Sequence, residues 1–479
     1  MNLHHALLLS MAALSACAST SAEPGFRSVS ATVQARMGRG LHWNRSTSDD
    51  QKAGQAVQGL LSKALTVEGA LQIALLRNSK LQATYEELSL AQADVVQAGL
   101  LSNPVFSATI TTAEREALDP NLIVGVTQSF LDLLLIPAKK KIAASEFEQA
   151  KYRVGSEVLE LAAQVKGAYF KVVAAEQSVA MRRAVADVQQ ASYELAEQQR
   201  AAGGTSELSA MGERALNGQT QIDLARAEAE LNTAHEELTR LMGLWGSEVA
   251  WHSVDRLPEV PLTEPSLAHL ESRAISERLD LAAMRQEAQT LHYALNLATT
   301  SRWTGILDIG ADVARLKDGR VVVGPHASIE LPIFDQRQAP IARLEAHLRA
   351  AEQLLQARAI EVRSEVRDAR NRLLYERAVI ERYRSEIIPT REALVVLSQQ
   401  QYSAMLLGAY ALIQVKQSEV NAYREYIEAV RDYWIARSDV ERAIGGVLPV
   451  LDSGPAAPLP SPIPSGPPAP MSSEHHHHS

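Results

Sequence analysis

Few side chains in this 479-residue chain have the type and spacing to do chemistry. The densest set is Asp308, Asp312, His326 and Glu330, which recur at even intervals among apolar residues. Even spacing places such groups on one face of an extended strand, where together they would meet water and attract cations. His326 could touch an ion but reads first as a solvated residue of that face. Met211 and Met405 carry sulfur that suits soft copper, although methionine more commonly fills gaps. The chain has no His-Glu-x-x-His, no glycine-rich phosphate loop and no nucleophile elbow. It therefore reads as a protein that is not an enzyme, with no cofactor and no resident metal. The single cysteine, Cys17, excludes internal disulfides and cysteine metal clusters. His475 to His478 follow a tail with eight prolines between Pro455 and Pro470, and do not select a ligand by themselves.

The elements that must position these groups are of two kinds. Four segments, 104–113, 121–132, 303–315 and 320–332, alternate with period two. Ser107, Thr109 and Thr111 oppose Phe106, Ala108 and Ile110. Gly125, Thr127 and Ser129 oppose Leu122, Val124, Val126 and Phe130. In the third, Asp308 and Asp312 lie opposite Trp303, Leu307, Ile309, Ala311 and Val313. In the fourth, Gly324, His326, Ser328 and Glu330 lie opposite Val321, Val323, Ala327, Ile329 and Leu331. Asp318-Gly319 marks a hairpin between these last two. Such segments have the length of tilted strands that cross an outer membrane between lipid and a wet lumen. Four strands cannot close a barrel, and an open edge in lipid leaves backbone groups unsatisfied. Three copies of the chain would supply twelve strands.

The other kind is a pair of very long helices in each half, expected over 138–243 and 340–445. Leu344, Leu348, Ala351, Leu355, Ala359, Val362, Val366, Ala369 and Leu373 step by threes and fours, as do Val154, Val158, Leu161, Val165, Ala168 and Val172. That spacing is a coiled-coil seam. Pro137 and Pro340 are expected at helix starts. The order of parts is the same in both halves, with Val165-Lys166-Gly167-Ala168 answering Val366-Arg367-Asp368-Ala369 and Gly204 answering Gly408. The fold class expected is mainly α with a small β part and an internal duplication. A formal charge of −9, with no basic stripe, argues against nucleic acid as a partner.

Ala6 to Leu14 is an apolar run too short to span a bilayer, and Leu14-Ser15-Ala16-Cys17 resembles the lipobox of bacterial lipoproteins. That resemblance implies cleavage before Cys17, a covalent lipid there as the only attached group, and an outer-membrane anchor, since Ala18 rather than Asp follows. The expected organisation is a signal peptide at 1–16, an acylated extended segment at 17–64, two repeats at 65–250 and 251–446, and a disordered tail at 447–479.

Leu65-Thr66-Val67-Glu68-Gly69-Ala70-Leu71 with Asn78, Leu101-Ser102-Asn103-Pro104 before the first strand, and Leu331-Pro332-Ile333-Phe334-Asp335 after the fourth are similar to the TolC-type outer-membrane efflux channels. The resemblance implies a homotrimer with a 12-stranded barrel, four strands per chain, and a long coiled-coil α-helical barrel crossing the periplasm. Its implied partners are a periplasmic membrane-fusion adaptor, an inner-membrane resistance-nodulation-division pump and outer-membrane lipid. Turns at 202–208 and 407–412 would form the periplasmic tip, where Gly203, Gly204 and Gly408 suit positive φ. Where relatives place aspartates after the second turn, this chain has Gln414 and Gln417, with Glu207 the nearest acidic substitute. Gln401 to Gly408 and Asp432 to Arg437 look most like the heavy-metal branch. The function implied is a passive exit duct of a tripartite efflux system. A periplasmic adaptor, or a coiled-coil lipoprotein scaffold without a pore, is the alternative.

Overall fold

The structure is a computed structural model describing residues 20–111, 121–254, 256–261, 263–264, 266–305, 307–316 and 319–448. Cys17 with the proposed signal segment, Asp318, and the proline-rich tail with His475 to His478 lie outside the described residues.

Residues expected to be extended before Leu65 instead form two helices, α1 (Glu23–Met37) and α2 (Ser48–Leu61). Val29 and Val33, one turn apart on α1, and Val57 on α2 are fully buried against the helices that follow. Burial of that stripe stabilises helix in a segment whose polar composition hides the period. The Arg36 guanidinium at the end of α1 donates to the Gly445 carbonyl at 2.7 Å, tying the start of the chain to the end of its second half.

Helix α3 (Val67–Arg77) is apolar on every side and correspondingly buried, with Ala70, Ile73, Ala74 and Leu75 inaccessible. Thr66 caps it by accepting from the Gly69 N–H at 3.1 Å. Asn78 then caps α4 (Ser79–Ala98), accepting from the Leu81 N–H, while its amide donates to the Leu241 carbonyl at 2.8 Å. Strands β1 (Val105–Thr111) and β2 (Asn121–Ser129) follow, then α5 (Leu131–Ala201) and α6 (Glu207–Met242).

The same order recurs: α7 (Leu270–Glu277), α8 (Leu279–Thr300), β3 (Leu307–Arg315), β4 (Val321–Ile329), α9 (Gln338–Arg382), α10 (Ile388–Ser403) and α11 (Ala409–Ile444). Helix α5 has 71 residues and begins seven residues before the expected start, so Pro137 lies inside it rather than at its first turn. The cost is one backbone bond and a ring clash near the helix start, where neighbouring chain can absorb both.

The α9–α10 arm departs from the expected continuous helix. Tyr383–Ile387 form a π turn. Pro389 stands two residues beyond and cannot donate to the Ser385 carbonyl, and an i→i+5 turn relieves the ring's clash there. The turn is held from α11, where Glu425 accepts from the Tyr383 hydroxyl and the Tyr426 hydroxyl accepts from Arg384, each at 2.8 Å.

The seams pack as expected. Val154, Val158, Val165, Tyr169 and Val172 are buried against Leu71, Leu75 and Tyr85, whereas Val362, Val366, Ala369 and Leu373 are buried against Leu281, Tyr433, Val440 and Ile444. Each such side chain contributes about 1.5–3 kcal/mol relative to exposure. Trp434 packs against both clusters, stacked on Phe170 at 5.5 Å and donating to the Pro258 carbonyl at 2.8 Å.

Candidate functional site

The four strands form one antiparallel sheet in the order β1-β2-β3-β4. Its ladders are seven to nine residues long, shorter than expected at both ends of β1 and β4, at the end of β2 and at the start of β3. Trp303, Leu331 and Glu330 therefore lie beyond the paired region. The register carries each face across all four strands. Ser107, Gly125, Asp312 and Gly324 form one cross-strand row, and Val105, Thr127, Gly310 and His326 the next. Ser129, Asp308 and Ser328 share that face. Val105, Ile123, Ala314 and Val322 interrupt its polarity.

The opposite face carries Phe106, Ile110, Val126, Ile309, Val313, Val323 and Ile329, all largely exposed, with Phe106 at 68% and Ile329 at 66%. An apolar surface of that extent is not left in water by a stable monomer, so it marks a lipid or protein contact. Both outer edges of the sheet, on β1 and β4, have no strand beside them among the described residues.

On the polar face two glycines make room for two functional side chains. A Cβ at Gly125 would sit 2.1 Å from an Asp312 carboxylate oxygen, and one at Gly310 would sit 2.4 Å from the His326 ring. Asp312 therefore lies flat over Gly125, and the imidazole lies flat over Gly310. His326 Nε2 is 3.2 Å from the Thr127 hydroxyl. Its Nδ1 is 3.0 Å from Asp312 Oδ2 but out of line for a hydrogen bond. Sequence reasoning read His326 first as solvated, though able to touch an ion, and did not pair it with Asp312; the even spacing of Gly125 and Thr127, two strands away, was the trace of the contact.

At the far end of the helices the turns differ from expectation. Gly203 has φ +75°, as a tight reversal requires, but Gly204 and Gly408 do not have positive φ. In the second turn the left-handed residue is Met405, φ +59°. Gly408 has the same backbone angles as Ser206, each capping the following helix, so Gly408 answers Ser206 rather than Gly204. Glu207 is exposed beside Leu208, and Leu208, Met405 and Leu406 stand out at 84%, 94% and 79% exposure. Gln414 is exposed, whereas Gln417 donates to Gln189 at 2.9 Å, and Gln189 in turn donates to the buried Glu213 at 2.8 Å. Gln417 thus joins the two helical hairpins of one chain.

The ends of the hairpins nearer the sheet are fixed by buried charge. Glu264 receives the Arg437 guanidinium at 2.5 Å and the Tyr433 hydroxyl, and both ionic partners are less than a tenth exposed. Arg278, at the cap of α8, spans Asp280 at 2.7 Å and Glu365 at 2.5 Å, and Arg358 contacts the same two carboxylates. Burial alone would raise the Asp280 and Glu365 pKa values; the two guanidinium groups outweigh it and hold both below the ordinary carboxylate range.

Residues 70–244 match the family described as Outer membrane efflux protein. Over that stretch the chain is similar to outer-membrane efflux proteins. It is 22% identical over 391 residues to the cobalt-zinc-cadmium resistance protein CzcC of Cupriavidus metallidurans, covering 80% of this chain and 90% of that one. Its fold is shared with the CmeC outer membrane channel of Campylobacter jejuni (TM-score 0.68, 12% identity, 86% and 90% coverage). It is also shared with CusC (TM-score 0.67, 16% identity, 79% and 92% coverage) and with the open state of MtrE from Neisseria gonorrhoeae (TM-score 0.66, 18% identity, 79% and 89% coverage). The efflux protein is located in the outer membrane and extends into the periplasm. Among the described residues no helix is long and apolar enough to cross a membrane.

Proposed function

We propose that three copies of the chain close their sheets into a 12-stranded barrel, below which the helices form a continuous barrel, and that the assembly is the passive exit duct of a tripartite efflux system. One observation carries the reading: the sheet has an exposed apolar face, a polar face with charged groups, and two unpaired edges. In lipid those edges require partners, and copies of β1 and β4 supply them. A periplasmic adaptor would dock on the apolar tips around Leu208, Met405 and Leu406, and a resistance-nodulation-division pump would supply the energy. The name of CzcC and the acidic strand face together favour divalent metal cations as cargo. Native mass spectrometry in detergent should give three copies, and planar bilayers should show steady conductance. A single-copy particle, or one that passes no ions, would overturn the proposal.

The organisation proposed is a signal peptide at 1–16, an N-terminal region at 17–64 acylated on Cys17, repeats at 65–250 and 251–446, and a tail at 447–479. Internal duplication is supported by spacing. Asn78 and Arg278 cap equivalent helices 200 residues apart, and Gly243 and Gly445 end equivalent 36-residue helices 202 apart. Cys17→Ala should abolish fatty-acid labelling; unchanged labelling removes the anchor.

A further inference from the structure

We propose that Asp312 and His326 are paired ligands for a borderline divalent transition metal ion, of the zinc, cobalt or nickel type, on the polar face of the sheet. The inference rests on the proposed barrel to the extent that this face must be wetted.

The spacing of the pair is that of two ligands of one ion. Nδ1 of His326 and Oδ2 of Asp312 are 3.0 Å apart without hydrogen-bond alignment, and Nδ1 has no hydrogen-bond partner among the described residues. Two adjacent ligands of an octahedral ion, each about 2.1 Å from it, also stand about 3 Å apart. The Thr127 hydroxyl, 3.2 Å from Nε2, can accept a hydrogen bond from Nε2–H, the tautomer that leaves the Nδ1 lone pair free. That is the second contact by which a metal-binding imidazole is oriented.

The seat is also built by the backbone. Gly125 and Gly310 leave the space in which carboxylate and ring lie side by side, since a Cβ at Gly125 would overlap Asp312 and one at Gly310 would overlap His326. Lysine and arginine do not share the cross-strand rows of Asp312 and His326. An imidazole and a carboxylate suit zinc, cobalt or nickel rather than magnesium, which prefers oxygen and water, or copper(I), which prefers sulfur. With two protein ligands and water in the other positions the ion is held weakly and exchanges, as a wall site in a conduit requires.

The test uses the full chain with His475→Ser, His476→Ser, His477→Ser and His478→Ser in every sample, so that the tail adds no binding. Equilibrium dialysis of detergent-purified protein against zinc should give one ion per chain, weakened at least about tenfold by His326→Gln and by Asp312→Asn. Excess magnesium should not compete. Thr127→Val should weaken zinc binding less than either. Equal zinc binding in wild type and His326→Gln, or displacement by equimolar magnesium, overturns the proposal. Protein that conducts in bilayers yet binds no zinc refutes the site and leaves the duct standing. Protein that binds zinc but never conducts refutes the duct and leaves the site.

Discussion

Asn78 and Arg278 occupy the same place in the two halves of the molecule but hold it by different means. Each stands at the N-cap position of the helix that leads to the strands, where only Asn78 makes a side-chain cap, and each reaches the last turn of its half's closing helix, Asn78 at the Leu241 carbonyl and Arg278 at the Ala443 carbonyl. Gly243 and Gly445, both at φ +71°, pack against these caps. Asn78 is satisfied by neutral backbone groups, whereas Arg278 also organises Asp280, Glu365 and, through them, Arg358. The strands diverge in the same way. On the polar face β1 and β2 present serine and threonine, while β3 and β4 present Asp308, Asp312 and His326. Backbone geometry is common to both halves, and the charge belongs to the second.

The helical hairpins repeat this pattern. Val165 and Val366 are 201 residues apart, but Gly203 and Met405, the left-handed residues of the two tips, are 202 apart. The extra residue of the second half falls in the span containing the π turn at 383–387, whose i→i+5 bonds enclose one more residue than an α turn. Helix α5 runs the whole way without such a break.

The largest expected effect tests the caps. Arg278→Ala leaves Asp280 and Glu365 with one shared cation and should destabilise the detergent-solubilised protein by about 3 kcal/mol in urea unfolding. Asn78→Ala removes a neutral cap and should cost about 1–2 kcal/mol. Equal losses would end the contrast between the halves. Acid separates them further. Because the Asp280 and Glu365 pKa values are lowered, their stabilisation is complete above the ordinary carboxylate range, about pH 4, and is lost as pH falls through the lowered values. Arg278→Ala should therefore flatten the acid limb of the stability profile, and Asn78→Ala should leave it unchanged.

Next in size is the apolar face. Ile329→Arg in β4 and Ile110→Arg in β1 should each impair membrane assembly by about 2–4 kcal/mol, read as loss of heat-resistant oligomer. Ser328→Arg and Thr109→Arg, on the other face, should be better tolerated; equal damage on both faces would contradict the barrel. At the tips, Gly203→Ala places a Cβ at φ +75° and should cost about 1 kcal/mol by thermal melting, whereas Met405→Gly should gain up to about 1 kcal/mol. The smallest effect is electrical. Asp308→Asn with Asp312→Asn should reduce cation preference measured as a reversal potential, while Thr109→Val should not.

Much of this was legible in the residues. Val154 to Val172 and Val362 to Leu373 repeat with the helical seam period and are buried accordingly. The strand faces alternate as Ser107, Thr109 and Thr111 against Phe106 and Ile110 required. The exceptions share a cause. Helices α1 and α2 depend on burial against distant helices, which their own weak period does not announce. Met405 adopts a conformation that its side chain disfavours, because the neighbouring helices fix where the chain must reverse.

The sequence determined periods, caps and polarity, because those depend on neighbours one or two turns away. It could not determine that Asp312 and His326 meet over Gly125 and Gly310, or that Arg36 reaches Gly445. Those contacts join residues far apart in the chain, and only strand register and helix docking bring them within reach.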